Sequence, residues 1–103
     1  MPNGDNKNFI RLCGAIDGFK QRHLKWPTRV VAHSMCIDDL RNHVLSPIAF
    51  QLVTDKVELF EGDAGFRAED NDGNTYDYGS EGFPERRPTP SAQDWLGIAA
   101  SEL

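Results

Sequence analysis

The residues best equipped for chemistry are His33 and Cys36, three apart in the run His33-Ser34-Met35-Cys36. A thiol near a helix N-terminus has its thiolate stabilised by the exposed amides, and a histidine beside it would complete a cysteine-histidine nucleophile pair. The competing reading makes Cys36 a small hydrophobe, because it also falls on an apolar stripe with Ile37, Leu40 and Val44. A zinc site needs about four ligands. The available set is Cys13, His23, His33, Cys36 and His43, of which only His33 and Cys36 are close in sequence, so neither a metal nor another cofactor is expected. Asp70-Asn71-Asp72-Gly73 carries part of a calcium-loop pattern. With Gly73 at the loop's glycine position, however, the two essential ligand positions fall on Ala68 and Gly79, which have no ligand side chain. No phosphate-binding glycine loop, nucleophile elbow or dinucleotide fingerprint occurs. Chemistry is therefore the second choice, in the form of a small enzyme or ligand-binding protein with a cleft near His33, Cys36 and Tyr76.

Charge points elsewhere. Up to Phe50 the chain carries seven basic and four acidic side chains, and after it four basic and twelve acidic ones, so a net charge of -5 conceals a first half of +3 and a second of -8. Between Asp55 and Glu85 ten acids face only Lys56 and Arg67. Such a surface attracts a basic partner and repels phosphate backbones, which excludes duplex nucleic acid except through a local basic face. Phe60, Phe66, Tyr76 and Tyr78 could stack bases, but acids outnumber bases on their strands, so a packed apolar face explains Phe66, Tyr76 and Tyr78 better. Plain solubility is the competing account of the acids.

These residues must be positioned by a small set of elements. At 103 residues, 39% hydrophobic, the chain supports one core. Its two cysteines make no disulfide framework, its apolar runs are too short for a bilayer span, and its start lacks a secretion signal, so a cytoplasmic protein with reduced thiols is expected. From Asn8, read as an N-cap, Phe9, Leu12, Cys13, Ile16 and Phe19 form one stripe of a helix running to about Gln21. Gly14 and Gly18 fall on roughly the opposite, solvated side. After Trp26-Pro27 a strand is predicted over 28–33, with Val30 and Val31 covered on both faces. Ser34 is read as the cap of the next helix, and Ser46-Pro47 as cap and first residue of another. Alternation then marks three strands, Val57–Glu61, Phe66–Asp70 and Asn74–Tyr78, expected to form an antiparallel meander. The turn Asn71-Asp72-Gly73 is assigned three residues, pairing Phe66 with Tyr78 and Ala68 with Tyr76, because that register gathers the apolar side chains on one face. Ser91-Ala-Gln-Asp94 has capping-box spacing and opens a last helix carrying Trp95 and Leu96.

The expectation is thus a single small α+β domain: an antiparallel three-stranded meander plus one earlier strand, packed by N-terminal and central helices, with a C-terminal helix. Residues 1–7 form a flexible N-terminus, 8–83 the domain, 84–90 a Pro-rich arm, and 91–103 a helix docking on the domain or on a partner. The leading function is a non-enzymatic accessory or adaptor protein. Its partner, another protein or a second copy in a homodimer, would be bound through Glu69, Asp70 and Asp77 or through the arm's Trp95 and Leu96.

Overall fold

The computed structural model describes residues 7–63, 65–79 and 90–98. The order of elements is α1 (Lys7–His23), β1 (Arg29–Ala32), α2 (Ser34–Asp39), a π-helical turn (Leu40–Val44), α3 (Pro47–Lys56), β2 (Glu58–Glu61), β3 (Gly65–Glu69), β4 (Thr75–Asp77) and α4 (Pro90–Leu96). It is the α+β arrangement that the periodicities imply. Residues 1–6 and the Pro-rich stretch 84–89 lie outside the described residues.

The stripe of α1 does what its spacing requires: Phe9, Leu12, Cys13, Ile16 and Phe19 are all fully buried. Each large side chain so covered contributes about 1.5–3 kcal/mol of transfer free energy. Asn8 lies in the first turn of this helix rather than capping it, and its amide donates to Asp39 Oδ2 at 2.8 Å, fastening α1 to the end of α2. Ser34 likewise is the first residue of α2, and His33 holds the cap position without a side-chain cap bond. Ser46 does cap α3, its Oγ accepting the Ala49 amide at 3.0 Å, with Pro47 at the first helical position, where its missing N–H costs nothing.

The sheet departs from the expected meander. Its strand order is β2-β1-β3-β4: β1 runs parallel to β2 and antiparallel to β3, so β2 never pairs with β3. The physical reason is composition. Arg-Val-Val-Ala presents small apolar residues that tolerate a neighbour on both sides, whereas Glu-Leu-Phe-Glu places a carboxylate at each end and belongs at an edge. The hairpin of β3 and β4 keeps the anticipated register, Ala68 opposite Tyr76, with Gly73 at φ +91° closing the three-residue turn. Phe66 is the extra residue of a bulge between β1 and β3 and adopts φ +71°, a conformation costly for a side chain, while its ring is almost fully buried.

Paired residues share a face, so the register divides the sheet. Val30, Ala32, Ala68 and Tyr76 are buried beneath the helices. On the other face stand Arg29, Val31, Glu58, Phe60, Arg67, Glu69, Thr75 and Asp77, none of them buried. Val31 is therefore only half-covered, not enclosed on both sides as its adjacency to Val30 suggested.

Gly14 and Gly18 do not face solvent. A Cβ on Gly14 would lie 2.6 Å from the Tyr78 ring, and one on Gly18 would overlap Tyr76. Four helical residues rise about 6 Å. Two strand residues advance about 6.6 Å. The glycine pair thus matches the tyrosine pair in spacing and admits both rings. At the far end α4 packs against α1 and α3, Leu96 is buried, and Trp95 stacks on Trp26 with ring centroids 4.5 Å apart and planes 5° from parallel. Ser91 sits in the first turn of α4 and donates to Asp17 of α1.

Candidate functional site

The acids divide into two groups according to what surrounds them. In the hairpin, Glu69 stands on the open face between two guanidinium groups, with Arg29 Nε 2.8 Å from one oxygen and Arg67 Nε 2.7 Å from the other. These bonds, from Arg67 first and Arg29 second, hold its carboxyl below the usual carboxylate range. Asp70 begins the turn and is buried, 4% exposed. Its two oxygens accept the Asn74 side-chain amide at 2.9 Å and the backbone N–H groups of Asp72 and Asn74 at 2.9 and 3.0 Å, while Lys25 Nζ lies 2.9 Å away. The Asn74 amide is the largest cause, and Lys25 a further one, of a carboxyl held far below its ordinary value. Asp72 and then Asp70 in turn raise Lys25 above the ordinary lysine value. Both acids are committed to closing the turn and neutralising the sheet, which leaves Asp77 as the exposed member of the expected trio.

The second group lies on β2 and in the turn just after it. Glu58, Glu61 and Asp63 are exposed, and among the described residues none of their carboxylates has a hydrogen bond or ion pair. Arg29 is the cross-strand neighbour of Glu58, yet its guanidinium is taken up by Glu69, Asn71 Oδ1 and the Asp70 carbonyl. Phe60 is 45% exposed between the two glutamates, and Met35 of α2 is 78% exposed. The amides of Glu58 and Gly62 donate to the carbonyls of Thr28 and Ala32 of the β1 segment, each at 3.0 Å. By the alternation of a strand, the N–H and C=O groups of Leu59 and Glu61 then point away from β1, along an edge with which no described strand pairs. An open cleft of about 520 Å³ adjoins this edge, lined by His33, Ser34, Met35, Glu61, Gly62 and Asp63. It lies at the carboxyl ends of the two parallel strands, the usual location of ligand clefts in parallel sheets.

His33 is therefore on a cleft, but the other chemical candidates are dispersed. Cys36 is half-buried against the core, and no hydrogen bond joins its side chain to that of His33. Cys13 is enclosed in α1. His23 lies beside Thr75 O at 3.0 Å, and His43 is exposed on the π-helical turn. Tyr76 lies under Arg22, 5.0 Å from ring centre to guanidinium, away from the cleft-lining residues. Among the described residues no three His, Cys, Asp or Glu side chains are grouped to hold a metal ion. Trp95 is not a free anchor: its stack with Trp26 is flanked by Lys20, 5.4 Å over Trp26, and Lys56, 5.5 Å over Trp95.

The β2 residues escaped selection because a sum of charges does not distinguish paired from unpaired carboxylates. The available signal was the pattern Glu58-Leu-Phe-Glu61, which only an edge strand accommodates. Among the described residues no helix is long and apolar enough to cross a membrane. Compared with known proteins, the chain matches no family model, no curated protein and no solved structure.

Proposed function

We propose that this chain is a cytoplasmic, non-enzymatic interaction module that binds another protein through the acidic edge of its sheet. The single observation that carries this is the contrast in neutralisation: Glu58, Glu61 and Asp63 are left without a partner around the exposed Phe60, while Glu69 and Asp70 are saturated by their own chain. Exposed carboxylates cost the fold little and serve solubility however they are grouped, but solubility does not require the exposed Phe60 and the open strand edge among them. Interfaces, by contrast, are enriched in aromatic anchors set within a polar rim.

The test is affinity capture from the source cells with three forms of the full chain: wild type, Glu58→Lys with Glu61→Lys, and Asp94→Lys as a charge-reversed control on α4. The expected result is a defined set of proteins held by wild type and by Asp94→Lys and lost from the double variant. Retention of the same set by all three forms contradicts the proposal. That pattern would favour the second reading, ligand binding in the cleft, for which the position of His33 at the carboxyl end of β1 speaks.

A further inference from the structure

We infer that β2 accepts an extended peptide as a fifth strand, and that the peptide reads basic, apolar, apolar, basic. This rests on the interaction-module proposal and specifies the partner. Leu59 and Glu61 direct their backbone donors and acceptors outward in the spacing that strand addition uses, so the main chain supplies attachment without reference to sequence. Specificity comes from the side chains. Glu58 and Phe60 stand on the open face, and Leu59 and Glu61 on the helix-covered side, where Glu61 also borders the cleft. A residue opposite Glu58 and another opposite Glu61 therefore gain by being Arg or Lys, and the two between them gain by packing on Leu59 and Phe60. The complement of Glu-Leu-Phe-Glu has the same form in either chain direction, so the motif holds for parallel and antiparallel addition. Asp63 extends the negative field beyond the last pair.

A second copy of this chain fits the edge worse. It would bring three more unpaired carboxylates to a seam that already holds Glu58, Glu61 and Asp63. Nucleic acid is excluded by the same charges.

The experiment uses the isotope-labelled full chain and two synthetic peptides with flexible flanks, one centred on Arg-Val-Phe-Arg and one on Arg-Pro-Phe-Arg. The charges are equal, but proline removes a backbone donor and cannot continue the ladder. The first peptide is expected to shift the resonances of residues 57–63 saturably and to slow hydrogen exchange at the amides of Leu59 and Glu61. The second binds at least about tenfold more weakly, and Glu61→Lys weakens the first by about tenfold, the scale of reversing a cross-strand charge pair. Equal binding of both peptides reduces the effect to diffuse attraction and overturns the inference. So does protection of the Leu59 and Glu61 amides before any peptide is added, because the edge would then be covered already. If the peptide fails while partner capture still depends on Glu58 and Glu61, strand addition falls and the module stands. If both fail, both fall.

Discussion

The β3–β4 hairpin and the β2 edge are both acidic, both lie in the half of the chain with net charge -8, and both border the open face of one sheet. In the hairpin every carboxylate that matters to the fold has been given partners: Glu69 two arginines, Asp70 a set of amides and a lysine. On β2 the carboxylates have none among the described residues. A charged stretch therefore has no single role. Arg29 sits between the two regions and could serve either, and its commitment to Glu69 and the turn decides which glutamates stay available to a partner.

The contrast between the two regions requires a rigidly held hairpin. Its anchorage to α1 runs through Tyr76 and Tyr78 seated on Gly18 and Gly14. Helix propensity alone would make Gly18→Ala stabilising by about 1 kcal/mol. Displacing the Tyr76 ring forfeits about 2–3 kcal/mol of burial, so a net loss of about 1–2 kcal/mol is expected from urea unfolding. A gain in stability would mean that the ring can leave without cost and that the hairpin is loosely held.

The electrostatic difference between the regions shows itself in acid. Glu69 and Asp70 have carboxyls held below their unfolded values, so between the native and unfolded pKa the unfolded chain binds more protons. Their stabilisation is fully present above about pH 4 and is lost as pH falls below it. Unfolding followed against pH should show this decline in wild type and a flatter profile in Glu69→Gln with Asp70→Asn. Parallel profiles would show that these pairs do not discriminate native from unfolded chains.

How much of this was legible follows from the range of the interactions involved. The α1 stripe, the Ser46-Pro47 start and the Asn71-Asp72-Gly73 turn depend on neighbours within one element or one hairpin, and periodicity or turn chemistry specifies them. The insertion of β1 between β2 and β3 depends on which of several strands pair, and alternation alone carries no pairing information. Gly14 and Gly18 read as a weak solvated face until the i, i+4 step of a helix is matched against the i, i+2 step of a strand far along the chain. The candidate site was hidden for the same reason. That Glu69 is satisfied and Glu58 is not depends on where one guanidinium turns, a choice among long-range partners equal in charge.

Glu69 and Asp70 hold the fold and the edge acids do not, so the urea unfolding free energies of two matched variants, Glu69→Gln and Glu58→Gln with Glu61→Gln, should separate at neutral pH and low salt. Losing charge-assisted hydrogen bonds should cost the first about 1–2 kcal/mol. The second should stay within about 0.5 kcal/mol of wild type, as exposed unpaired groups do. Equal losses in the two variants, or a larger one at the edge, would mean that the edge carboxylates support the fold as much as Glu69 does.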